Sequence, residues 1–198
     1  LQKKPSHLSF AEAAAYQVAY LTAYVALVRR GNLQAGETLL VHGASGGVGM
    51  AAVDIGKLLG ATVIATGGSD AKLQRVLAYG ADHVINTEHG FREQVKALTG
   101  GRGADVIYDP VGGDIFDEST RCINFDGRLL IIGFTSGRIA SVPTNITLIK
   151  GFSVMGVRAG EYGRQFPEKG AENLQIIWDW VREEKTRPHV HYELPLSQ

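Results

Sequence analysis

The chain has 198 residues, long enough for one well-filled core, and 44% of them are hydrophobic against 20% charged. Its 20 basic side chains balance 20 acidic ones, which excludes the strongly basic surface on which nucleic acid or an anionic membrane docks. The single cysteine, Cys122, excludes an internal disulfide framework or a multi-cysteine zinc lobe and makes a reducing cytoplasm the expected compartment; no apolar run reaches the roughly 18 residues that cross a bilayer.

The chain opens at Leu1 with "QKKPSH" and no initiating methionine, and is read as beginning inside a longer protein. Ser9 and Glu12 have capping-box spacing, and "AAAYQVAYLTAYVALVRR" behind them predicts one long helix or two short ones before Gly31. Short β-branched runs then alternate with amphipathic stretches and glycine-rich corners. The rhythm runs through "TLLVHG", "GMAAVDIGKLLG", "ATVIAT", "DAKLQRVLAYG", "DHVIN", "FREQVKALTG", "ADVIYD", "DIFDESTRCINF", "GRLLIIG" and "FSVMGV". "TLLV" and "RLLIIG" are near-continuous apolar runs, as in strands buried on both faces of a parallel sheet. "PEKGAENLQIIWDWVREEK", with Pro167 near its start, predicts a last helix. Trp178 and Trp180 cannot share one face of it, so one is core and the other partly exposed. The expected fold is α/β, a doubly wound parallel sheet of about six strands with helices on both faces.

The stretch "HGASGGVG", residues 42–49, carries four glycines directly after an apolar run. In a βαβ dinucleotide site the first glycine makes the tight turn, the second lets a pyrophosphate approach the backbone, and the third packs helix against strand. Those positions read Ala44, Gly46 and Gly49, with the helix starting near Gly47 and its N-terminal dipole facing the phosphates. The register Gly43, Gly47, Gly49 fits the short-chain dehydrogenases, but they need a Tyr-x-x-x-Lys pair, and no tyrosine here has lysine four residues on. At the end of the second predicted strand, where an NAD site offers a carboxylate to the ribose 2′-OH, the chain has Gly67-Gly68-Ser69. Ser69, Lys72 and Arg75 are placed to meet a 2′-phosphate, and Asp70 is read as capping the helix that starts there.

The segments "LTAYVAL", "LQAGETLLVHGASGGVG", "LGATVIAT", "YGADHVIN", "GRGADVIYDPVGGDIFDES" and "GRLLIIGF" resemble the zinc-independent NADPH:quinone oxidoreductase branch of the medium-chain dehydrogenase/reductases, in family order and over nearly the whole chain. The resemblance implies a Rossmann-type domain over 37–160, linking helices over 1–36, and over 161–198 a helix and a strand returning towards a catalytic lobe not present here. It implies NADPH as cofactor. Ser45, Gly46, Gly47 and Val48, beside Ala44, would line the pyrophosphate, and Gly67, Ser69 and Lys72 the 2′-phosphate. Asn86 would lie near the adenosine; Val111, Gly133 and Phe134 would run along the ribose and nicotinamide, with Thr22 approaching the ring from the N-terminal helix. Related enzymes often carry a tyrosine just after the third strand, where this chain has Thr87.

By the same resemblance the intact enzyme transfers hydride from NADPH to a quinone or another activated carbonyl or enone, the fragment alone binds cofactor with little turnover, and two chains pair through the edge strand "FSVMGV" as a homodimer. Alternatives are an enoyl-thioester reductase on the same fold and a non-catalytic nucleotide-binding protein. No metal is expected: His189 and His191 lie two apart on what reads as an edge strand, without a third ligand. Cys122 falls with Ile115, Phe116 and Ile123 on one helix-spaced apolar face, and it, Tyr24 and Phe134 are read as packing residues.

Overall fold

In the computed structural model, which describes residues 3–195 and Ser197, six strands form one parallel sheet. They are β1 (Thr38–Val41), β2 (Thr62–Gly67), β3 (His83–Asn86), β4 (Ala104–Asp109), β5 (Ile123–Ile131) and β6 (Ser153–Gly156), in the spatial order β3-β2-β1-β4-β5-β6. Between them run α2 (Gly47–Leu58), α3 (Asp70–Tyr79), α4 (Arg92–Leu98), α5 (Gly113–Ser119) and α6 (Thr144–Lys150); α1 (Phe10–Tyr24) precedes the sheet, and α7 (Ala159–Gln165) and α8 (Pro167–Arg182) follow it. The expected doubly wound α/β fold is the one found. Its strand order reverses between β1 and β4, which opens a crevice outside their carboxyl ends.

The alternation of side chains along each strand divides the interior into two cores. Leu39, Val41, Val63, Ala65, Val106 and Tyr108 face one side, where Tyr16, Tyr20, Ala51, Ile55, Val76 and Ile177 pack on them. Leu40, Ile64, Ile107 and Leu129 face the other, with Phe91, Val95, Phe116 and Cys122. Both faces of β1 are buried, which is why "TLLV" carries no polar alternation.

The N-terminal helix starts as predicted. Ser9 accepts a hydrogen bond from the Glu12 amide at 3.1 Å while the Glu12 carboxylate accepts from the Ser9 amide at 2.7 Å. It does not break into two; α1 runs on into a π-helical turn over Val25–Arg30, whose wider winding buries Val25, Ala26 and Leu27 together. Trp178 is buried with its ring 5.9 Å from Tyr16, and Trp180 is half-buried beside Tyr24, as their spacing required.

Two expectations fail. Cys122 is buried with Ile115, Phe116 and Ile123, but α5 ends at Ser119 and β5 begins at Ile123, so the cysteine sits in a tight turn and not on a helix. The returning strand expected within 188–198 is not formed over 188–195: among the described residues no neighbouring strand offers its hydrogen bonds, and the segment is irregular, while positions 196 and 198 lie outside the described residues.

Candidate functional site

The register of the sheet brings the carboxyl ends of five strands to one edge. Val41 pairs with Ala65 and Tyr108, Gly67 with Asn86, and Asp109 with Ile131. The segments after β1, β2, β4 and β5 and the end of β3 therefore meet around the crevice. Ala44–Val48, Gly67, Ser69, Asn86, Val111, Gly133 and Phe134 all stand on this edge.

At the first corner the left-handed turn is made by Gly43, with φ +55°, and not by Ala44 as the motif register implied. Ala44 is fully buried and donates its amide to the Thr66 carbonyl at 3.0 Å, which ties the corner to β2. Gly46 is the N-cap of α2 in an extended conformation. Gly49 has no room for a side chain: a Cβ there would stand 2.5 Å from the Gly43 carbonyl oxygen and 2.7 Å from the Ala44 Cα. Gly47 is the opposite case, since a Cβ there would meet nothing within 4 Å. One glycine is bare because the protein presses on it, the other with only open space beside it. Ser45, Gly46 and Gly47 are exposed over the start of α2, where amides of the first turn lack helical acceptors.

His42 holds this corner from below. The fully buried ring packs 4.8 Å from Phe91 and joins the Thr66 hydroxyl through Nδ1 at 2.7 Å and the Ser119 hydroxyl through Nε2 at 2.8 Å. Ser119 already donates to the Ile115 carbonyl, so its oxygen accepts from His42 Nε2–H, and Thr66 donates to Nδ1. Burial pushes the imidazole down to about 3. A neutral histidine thus joins β1, β2 and α5. Sequence reasoning passed over it, because its partners lie far away in the chain.

The second corner differs from its expectation in one respect. Ser69 is the N-cap of α3 and Asp70 its first helical residue, and the Asp70 carboxylate accepts from the Asn86 side-chain amide at 2.7 Å. Asn86 is engaged again through its oxygen, which accepts from the Glu88 amide at 3.0 Å as Thr87 begins a short 3₁₀ turn. Lys72 and Arg75 stand exposed on α3.

Beyond the switch point, Asp109 organises the loop after β4: its carboxylate accepts from the Val111 and Gly112 amides at 2.8 and 2.9 Å. Burial pushes that carboxyl up, and the two amides pull it back. The loop after β5 is tied to it by Thr135 and Ser136, whose amides donate to the Pro110 and Val111 carbonyls. Gly133 fits closely against Pro110, and Phe134 is half exposed beside Gly112. Thr22 is half-buried on α1, which packs on α2; its hydroxyl donates to the Val18 carbonyl of its own helix. Tyr24 is core, against Trp180.

Between the first corner and α3 lies a cavity of about 200 Å³, lined in part by Ser45, Gly46, Lys72, Arg75, His189 and His191. The two histidines are thus beside the first corner and not on an edge strand. Zinc finds no fitting ligand set here: among the described residues no three His, Cys, Asp or Glu side chains converge, and burial pushes the Cys122 thiol up to about 12, far from the thiolate a metal needs. Nor is any helix among the described residues long and apolar enough to cross a membrane.

Comparison with known proteins places these features among oxidoreductases. The family model described as zinc-binding dehydrogenase matches residues 47–176. The quinone oxidoreductase-like protein 2 of Bos taurus is 40% identical over 188 residues, covering 94% of this chain and 54% of that protein. Among solved structures, the Escherichia coli quinone oxidoreductase complexed with NADPH superposes with a TM-score of 0.82 at 31% identity, over 98% of this chain and 58% of that one. The CurK enoyl reductase does so with 0.88 at 28% identity, over 98% and 58%. The chain spans about half the length of these curated quinone oxidoreductase-like relatives.

Proposed function

This chain belongs to the zinc-binding dehydrogenase family of the medium-chain dehydrogenase/reductases, and we propose that it is the NADP(H)-binding part of an oxidoreductase that passes hydride to a quinone or a similar activated carbonyl or enone. The observation that carries this reading is the contrast at the first corner, where Gly47 faces open space above the start of α2 while Gly49 is bare for packing. A pyrophosphate docked there meets the amides of Gly47 and Val48 and the Ser45 hydroxyl, passing over Gly46, whose own amide donates to the Gly43 carbonyl at 3.0 Å, with Ala44 closing the turn beneath. The solved quinone oxidoreductase complexed with NADPH, similar over 98% of this chain, supports the choice of cofactor. So does the absence of a carboxylate at Gly67-Gly68-Ser69, with Lys72 and Arg75 following on α3.

The bound nicotinamide supplies the hydride. This chain's own residues bind and orient: Asp109 holds the Val111–Gly112 backbone in place, the two loops after β4 and β5 brace each other beside the ribose, and Phe134 and Thr22 shield the ring from water. Direct titration tests the cofactor: NADPH should bind at least about tenfold tighter than NADH, one charge-assisted contact's worth, and equal affinity or an NADH preference overturns the assignment.

The CurK similarity favours a second reading, an enoyl-thioester reductase. Turnover of the full-length protein with a quinone panel against an enoyl thioester separates the two. We also propose a homodimer through β6, an edge strand of the sheet with half-buried Val154 and Met155 and with exposed Leu148 and Ile149 on the helix leading into it.

A further inference from the structure

Among the described residues the segment after α8 has no regular structure, yet it is firmly tied down. Thr186 is buried and shares a hydrogen bond with the Tyr16 hydroxyl. The Arg187 amide donates to the buried end of Asp54 at 3.3 Å, its carbonyl accepts from the Tyr79 hydroxyl, and its side chain reaches Glu12 at 2.8 Å. Tyr20 donates to the same Asp54 carboxylate. Pro188 is buried next in line. Side chains from α1, α2 and α3 thus grip two consecutive residues, and His189 follows the second of them, Arg187, after one proline, a reach of about 7 Å at most.

What this grip holds in place is part of the lining of the cavity beside the first corner, to which His189 and His191 contribute with ring centres 6.1 Å apart. The remaining polar lining is Ser45, Gly46, Lys72 and Arg75, and no carboxylate is among the lining residues. Among the described residues none of Lys72, Arg75, His189 and His191 takes part in an ion pair. Two cations and two imidazoles around about 200 Å³, several water volumes of about 30 Å³ each, are donors without a protein acceptor.

Resting on the NADP(H) reading, we propose that His189 and His191 are specificity-determining residues for the phosphorylated nucleotide: the segment clasped at Thr186–Arg187 forms part of the wall of the 2′-phosphate site, together with Lys72 and Arg75. The ligand chemistry is a phosphate monoester on the ribose. The 2′-phosphate is favoured over the pyrophosphate because both cations stand on the helix that follows β2, at whose end the ribose 2′ position lies.

Calorimetry on the full chain with 2′,5′-ADP and 5′-AMP, which differ only in the 2′-phosphate, tests it. Replacing both histidines (His189→Ala with His191→Ala) should weaken 2′,5′-ADP about tenfold, as when one charge-assisted hydrogen bond is lost, and 5′-AMP less than about twofold. The double variant His189→Arg with His191→Arg should restore or exceed the original affinity, which a role in shaping the segment would not. Equal weakening of both nucleotides, or no change for 2′,5′-ADP, overturns the proposal while leaving the cofactor assignment intact. If the unmodified chain binds neither nucleotide nor NADPH, the functional reading itself falls, and this inference with it.

Discussion

The two halves of the sheet are built from the same βα repeat but finished differently. Around β1, β2 and β3 the helices α2 and α3 have 12 and 10 residues, and their corners are trimmed to backbone or left with unpaired cations. Around β4, β5 and β6 the helices α5 and α6 have seven residues each, and Phe125, Ile139, Leu148 and Ile149 are left exposed. The first half leaves donors bare; the second leaves apolar surface and an open strand edge bare. The lesson is that the repeat supplies the scaffold, and the role of each half is decided by what its loops leave bare.

The sharpest way to break this contrast is at the two glycines of the first corner. Gly49→Ala pushes a methyl into the Gly43 and Ala44 backbone and should cost about 1–3 kcal/mol of stability in denaturant titrations. Gly47→Ala adds a methyl in open space and, as a helix substitution, should leave stability equal or up to about 1 kcal/mol higher. Both should weaken NADPH by about a hundredfold or more, since two or more charged hydrogen bonds are lost. If Gly47→Ala binds NADPH normally, the open space above α2 is not where the diphosphate sits.

His42 is the next largest lever. In the folded chain its imidazole is held neutral down to about 3, whereas the unfolded chain protonates it near 6.5. Between those values the unfolded state binds one more proton, so stability rises with pH in this window and is lost as pH falls, by about 1.4 kcal/mol per unit. From pH 7 to pH 5 the loss from this group is therefore about 2 kcal/mol. His42→Ala should lower stability at pH 7 by about 2–4 kcal/mol, a cavity and an orphaned Thr66 hydroxyl, and flatten the pH dependence by one proton's slope. Paired urea melts at the two pH values measure both, and an unchanged slope would show that the ring takes up its proton equally in the folded and unfolded chains, against its burial.

Much of this was legible beforehand, and the limits are instructive. "TLLV" and "TVIAT" announce buried parallel strands because side chains on both faces must be apolar, and the helix between them shows its period. The glycine cluster announces a sharp corner with bare backbone between β1 and α2. Which residue takes the left-handed conformation does not follow from composition, because that depends on where the loop closes on Thr66, and so Gly43 and not Ala44 makes the turn. Neither His42 nor the clasp on Thr186 and Arg187 leaves a local signature: Thr66, Ser119, Tyr16, Asp54 and Tyr79 become neighbours only after the sheet and α1 assemble. The alternation "HVH" has the period of a strand, but a strand needs a partner edge, and none of the described strands supplies one.

The second half is probed by charge on its exposed apolar helix. Leu148→Asp with Ile149→Asp places carboxylates on residues 82% and 72% exposed, so the isolated fold should lose less than about 0.5 kcal/mol. If two chains pair along β6, dimer dissociation by light scattering should rise about thirtyfold, the size of one interface hot spot. NADPH affinity should stay the same, since the first half is untouched. A parent chain that is monomeric at high concentration would remove the interface from this account.

The smallest effect sharpens the first half further, by separating charge from shape. Lys72→Ala removes one of the two α3 cations beside the cavity and should weaken NADPH about tenfold while moving NADH less than about twofold. Asp70 is the counterweight on the same helix: its carboxylate is turned to the Asn86 amide at 2.7 Å, and at the first helical position it adds negative charge near the proposed phosphate. Asp70→Asn should keep the Asn86 contact through its amide oxygen and tighten NADPH about threefold, the worth of an exposed charge at a distance, without changing NADH. Fluorescence titrations of both cofactors against both variants give four numbers. If Lys72→Ala weakens NADH as much as NADPH, the lysine serves the diphosphate common to both, and the discrimination has to be sought elsewhere in the lining of the cavity.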